Sequence, residues 1–168
     1  MTKIDFYVLE EERPKEGFLF TCRLIEKIYR QGHRVYVYSE NQAQIDKLDQ
    51  LLWSFKAESF IPHSQHINQT DTLTATEQSL ASKAPSANEQ PLAHQAPLNE
   101  VLLGTCPPPS HYHSCLINLS ENVPSFFSRF QRLGEVVLNN ERRRNISRNN
   151  YRFYQQRGYA IDTHKIAQ

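Results

Sequence analysis

The sequence predicts an α/β fold whose sheet is at least partly parallel, with helices crossing over between strands. Three observations carry this. Lys3 to Leu9 (KIDFYVL) puts apolar side chains on both faces of a strand, as a central position in a covered sheet requires. A helical spacing follows through Phe18, Cys22, Ile25 and Tyr29, and then a second β-branched and aromatic run, Arg34 to Tyr38. Another helical pattern comes next, so the chain opens strand–helix–strand–helix. The 168 residues fit one domain of ordinary size with some extra sequence.

The elements follow in order. Glu10 to Glu16 is charged and holds Pro14, and it reads as a loop. The first helix is expected over Gly17 to Gln31, with Gly32 in the position that ends helices. Ser39, with Gln42 three residues on, forms a capping-box pattern, and a helix runs through Ile45, Leu48 and Leu52 to Trp53. Ser64 to Pro97 differs in character. It has no aromatic residue, and its only fixed charges are Asp71, Glu77, Lys83 and Glu89. Such a stretch buries too little apolar area to offset chain entropy, so residues 64–97 are expected to be a disordered or flexible polar insertion within a single domain spanning 1–168. Glu100 to Thr105 is the next strand. The segment CPPPSHYH is extended, because its prolines fix φ and block a helix. Ser114 to Leu119 is a strand, Pro124 suits a helix start, and Phe126, Phe127 and Phe130 give a short helix an apolar face. Glu135 to Leu138 reads as a strand, Glu141 to Arg157 as a helix ending at Gly158, and Tyr159 to Ile161 as a short final strand.

Charge and composition exclude several functions. The net charge is +1, so no global field drives the chain onto nucleic acid or membrane. No apolar run approaches the roughly 20 residues of a membrane span, and three scattered cysteines suit a reducing cytoplasm. The expectation is a soluble cytoplasmic protein. There are five glycines and no phosphate-binding glycine loop, and the turn after the first strand, EEERPKEG, would repel phosphate. No nucleotide and no other cofactor is expected. His111, His113 and Cys115, with Cys106 at a distance, lack the paired spacing of a structural zinc site, so no metal is expected. No serine lies in a nucleophile elbow, and no catalytic residue is identified.

The basic character is local. After Asn140 come Arg142, Arg143, Arg144, Arg148, Arg152, Arg157 and Lys165, against Glu141 and Asp162. On a helix, Arg144, Arg148, Tyr151 and Arg152 share one side, with Ile146 and Phe153 nearly opposite and Tyr154 flanking them. The basic side is either a solvated face or a surface for an anionic partner with an apolar element, since guanidinium pairs carboxylate bidentately and stacks on flat groups. Direct binding of single-stranded nucleic acid by this helix is the alternative function. Trp53, Phe60, Ile61 and Pro62 form a second patch, which either seals the core or receives a protein partner.

Several segments in order resemble the chi-subunit family of bacterial DNA polymerase III holoenzyme. They are DFYVL, IYRQGHRVYVYSEN, LDQLLWSFKAESFIPH, SCLINLS and NNYRFYQQRGYAI. They span nearly the whole chain outside the Ser64 to Pro97 region, where typical members have a shorter connection. The resemblance implies a three-layer α/β/α fold, Rossmann-like in outline but without a nucleotide-binding loop. It implies a non-catalytic accessory subunit that links the clamp-loader complex, through the psi subunit, to single-stranded DNA-binding protein. That protein's acidic C-terminal tail ends in proline and phenylalanine. Alignment on the Tyr-Arg pair places Arg144, Arg148, Tyr151 and Arg152 on tail-binding positions and Gly158 on a nearby backbone position. Arginine stands here at some places where relatives have lysine, which keeps the charge and changes the geometry. The resemblance also places Trp53 and Phe60 on the surface facing psi or another partner.

Overall fold

Apolar residues alternate across the central strands, and each strand therefore feeds two cores. The computed structural model describes residues 1–10, 13–67 and 100–167. Its elements are β1 (Lys3–Leu9), α1 (Pro14–Arg30), β2 (Val35–Tyr38), α2 (Gln42–Ser54), β3 (His63–His66), β4 (Val101–Gly104), β5 (Cys115–Asn118), β6 (Arg132–Val137), α3 (Glu141–Gln156) and β7 (Ile161–Ile166), with a 3-10 turn at Phe127–Arg129. The strands form one sheet in the order β3-β4-β2-β5-β6-β1-β7, and every pairing is parallel. Helices lie on both faces. Val35, Val37, Val101, Leu103 and Ile117 face α1 and α2, where Ile25, Ile45, Leu48 and Leu52 are buried. Ile4, Phe6, Tyr36, Leu102, Leu116 and Leu133 face the other way, onto Phe126, Phe127, Phe130 and Tyr154 of the 3-10 turn and α3. The period-2 alternation of parallel strands covered on both sides accounts for the near-continuous apolar runs.

Five boundaries differ from the sequence reading. Helix α1 starts at Pro14 rather than Gly17, because the first turn of a helix tolerates a residue without an N–H and Glu16 there suits the positive helix end. The cap of α2 is Asn41, not Ser39. The Asn41 Oδ1 accepts from the Ala43 N–H at 2.9 Å, while Ser39 Oγ donates to Gln44 Oε1 at 2.6 Å and accepts from the Asn41 N–H at 3.1 Å. Ser64 to His66, placed by the sequence reading in the polar insertion, instead continue β3 beside β4; residues 68–97 of that segment lie outside the described residues. The last strand is Ile161–Ile166 rather than Tyr159–Ile161, paired along β1 from Ile4↔Ile161 to Leu9↔Ile166. Edge strands expose much of their side-chain surface to water, so HSQH and IDTHKI carry polar residues and do not look like core strands. Strand β6 likewise begins earlier, at Arg132.

Gly32 and Gly158 end α1 and α3 as anticipated. Each adopts a positive φ, of 83° and 78° respectively, which an L side chain enters only with strain. Cys22 is fully buried, and burial pushes its thiol up to about 12.

A candidate binding groove along helix α3

Helix α3 starts where Asn140 Oδ1 accepts from the Arg143 N–H at 2.8 Å, with Glu141 in the first turn. Its docking side centres on Tyr154 and Asn150, both buried, while Phe153 and Ile146 are only half-buried. The inward face is thus turned from the one that apolar spacing suggests. A polar anchor explains the rotation. The Tyr154 hydroxyl donates to Glu135 Oε1 at 2.7 Å, and Asn118 Nδ2 donates to the same oxygen at 3.0 Å. Asn150 Nδ2 donates to the Glu121 carbonyl at 3.2 Å. Burial pushes the Glu135 carboxyl up to about 7, against the opposing pull of Asn118, Tyr154 and Arg143.

On its outer side α3 leaves a hollow of ≈ 290 Å³ against the sheet edge. Phe6 and Val8 of β1 and Thr163 of β7 line one side. Ser147, Arg148, Tyr151, Arg152 and Gln155 of α3 line the other. The Tyr151 ring sits 5.4 Å from that of Phe6, tilted by 51°, and remains 36% exposed. Lys165 pairs in register with Val8, which puts it on the same sheet face at one end of the hollow.

The arginines of α3 sort by side. Arg142 pairs with Glu121 at 2.8 Å, Arg143 donates to the Leu119 carbonyl at 3.1 Å, and Arg157 lies 3.6 Å over the Phe153 ring. The groove-side arginines have no such partners. Arg148 reaches only Asn145 Oδ1, at 3.5 Å, and neither Arg144 nor Arg152 forms an ion pair among the described residues. Cationic groups therefore flank an apolar slot with no carboxylate among the described residues to neutralise them.

Of the residues singled out from sequence, Arg148, Tyr151 and Arg152 come together in this groove. Arg144 is exposed one turn earlier on the same side and does not line it. Gly158 turns the chain beyond the helix and does not line it either. Sequence reasoning missed Phe6, Val8, Thr163, Ser147 and Gln155. The first three become neighbours of α3 only through the β1–β7 pairing, and no local signal announces that.

Trp53 and Phe60 do not seal the core. They are 58% and 70% exposed, with ring centroids 5.8 Å apart, and Trp53 lies 4.4 Å from the ring of His63. The neighbouring Leu52 and Ile61 fill the core instead. Among the described residues no group of three His, Cys, Asp or Glu side chains is placed to hold a metal ion, and burial pushes the Cys115 thiol up to about 12. No described helix is long and apolar enough to cross a membrane.

Comparison with known proteins agrees over almost the full chain. The sequence model of the family described as DNA polymerase III chi subunit, HolC, matches residues 1–162. The chain is 34% identical over 166 residues to the DNA polymerase III subunit chi of Pseudomonas aeruginosa, covering 99% of this chain and 98% of that protein. It is 23% identical to the subunit chi of Escherichia coli K12, covering 97% of each, and 22% identical to that of Haemophilus influenzae, covering 96% and 95%. The chain belongs to the DNA polymerase III chi subunit family, whose members are accessory subunits of that polymerase.

Proposed function

We propose that this protein links the clamp-loader complex, through the psi subunit, to the acidic C-terminal tail of single-stranded DNA-binding protein during DNA replication, without catalysis of its own. The observation that carries the reading is the slot floored by Phe6 and Val8, beside Arg148 and Arg152, neither of which has a carboxylate partner among the described residues. A tail tipped by phenylalanine needs a small apolar recess for the ring and guanidinium donors for the terminal carboxylate and preceding acidic side chains. The slot offers both within two turns of one helix. Arg144 and Lys165, at one end of the groove, are placed to meet the acidic residues farther from the tip.

Calorimetry with a synthetic acidic peptide ending in Pro-Phe tests the reading. Deleting the terminal Phe should weaken binding about 30-fold, since short peptides bind through a few buried anchors. Raising the salt should weaken the intact peptide further, because the ionic contacts are exposed. Equal affinity for the two peptides would remove the slot from the account.

The exposed Trp53–Phe60 pair is assigned to psi. Paired exposed aromatics are typical interface anchors, and they lie on α2 and the loop before β3, away from the groove. Changing Trp53 and Phe60 together to alanine should abolish co-purification with psi. The melting temperature of the isolated subunit should hardly move, because such surface changes cost about 0.5 kcal/mol or less. Retained psi binding would reassign the patch.

A further inference from the structure

A second cavity, of ≈ 360 Å³, opens at the opposite, amino-terminal edge of the sheet, beneath the end of α1. Its size falls within the range of small-molecule sites, about 300–1,000 Å³. The inner wall is apolar, with Tyr7, Leu24, Ile28 and Ile117. Gly134 keeps this wall open, since a Cβ there would meet the Tyr7 ring at 3.3 Å. The polar lining carries Lys3, Lys27 and Arg132 and one carboxylate, Asp5, with Lys3 paired outside the lining to Asp162 at 2.8 Å.

That carboxylate is already committed. Its Oδ2 accepts from Arg132 Nε at 2.5 Å, and its Oδ1 lies 3.0 Å from His164 Nε2. Arg132 spends only Nε on this pair, and its two terminal nitrogens form no other hydrogen bond among the described residues. Lys27 forms no ion pair among the described residues. The carbonyls of Lys27 and Ile28, which could repel an anion, accept from the Gln31 N–H at 3.2 and 3.1 Å. The lining thus combines an apolar slot with uncommitted cationic donors, and nothing in the α3 groove depends on it.

We propose that this cavity binds a small aromatic phosphomonoester, its ring against Tyr7 and Ile117 and its phosphate held by Lys27 and the free nitrogens of Arg132. Arginine's terminal fork suits phosphate, and a lysine ammonium adds a point charge. Phenyl phosphate is the probe, titrated into the full-length protein and followed by amide NMR, with inorganic phosphate and phenol alongside. The expected result is saturable shifts at Tyr7 and Gly134, at least tenfold weaker binding of each half-probe, and at least tenfold loss in Lys27→Glu. Arg148→Glu, in the other groove, should leave the titration unchanged. Shifts confined to Tyr151 and Arg148, equal binding by Lys27→Glu, or no saturation at Gly134 would each overturn the proposal.

Discussion

Replacing Arg148 by glutamate is expected to weaken binding of the acidic, Phe-tipped peptide about 100-fold, an effect of the size seen when a central interfacial charge is reversed. Three features single out this position. Arg148 lines the slot in the middle of the groove-side row, between Arg144 and Arg152. Among the described residues it has no ion pair to lose, so the change releases no buried partner there, and its one polar contact is a long one to Asn145. The substitution also puts a carboxylate where the tail presents its own, so repulsion adds to the lost attraction. The circular dichroism spectrum and melting temperature should stay near those of the unaltered protein, since the side chain is exposed and glutamate suits a helix interior. Arg142→Glu is the matched control. Arg142 sits on the same helix but pairs with Glu121 and does not line the slot, so it should change affinity much less. If both variants bind equally, the field of the whole helix matters and the slot does not.

The contrast between Arg142 and Arg148 also marks what sequence can convey. Helical spacing alone places Arg144, Arg148, Tyr151 and Arg152 on one side, and resemblance ties that side to a peptide tail. Neither identifies which arginines are already occupied, because Glu121, Leu119 and Phe153 meet them only after folding. The floor of the slot was equally hidden. Phe6 belongs to a strand that reads as central, and it is buried, yet it borders the groove because, among the described residues, β1 has only one further strand, β7, beyond it. That last strand is the least legible part of the fold. Asp162, Thr163, His164 and Lys165 look like a tail, and their pairing is imposed by the open edge of β1. The strong strands and helices, by contrast, carry their periodicity locally. They were legible to within a few residues, apart from capping details such as Asn41, where side-chain geometry decides between two adjacent candidates.

Glu135→Gln is expected to stabilise the protein near pH 8 by about 3 kcal/mol at most, the equivalent of the gap between a carboxyl raised to about 7 and its ordinary value of 4.5. The direction follows from proton counting. Between those two values the folded chain holds a proton on Glu135 that the unfolded chain has released. Stability of the unaltered protein therefore falls as pH rises from about 4.5 to about 7, and the cost is fully present above that. Glutamine keeps the acceptor that Asn118 and Tyr154 address and cannot acquire the charge that burial penalises. Melting curves should nearly coincide at pH 4.5 and separate progressively toward pH 8, with the variant the more stable, by several degrees for a chain of this length. A variant less stable than the parent at pH 8 would mean that Arg143 and the two donors outweigh desolvation, so that folding favours the charged carboxylate instead of penalising it. Either outcome bears on the groove, because the Tyr154–Glu135 contact ties α3, which carries Arg148, Tyr151 and Arg152, to β6. The tail peptide's affinity for Glu135→Gln should accordingly match the parent's, as the amide preserves that contact while removing only its dependence on pH.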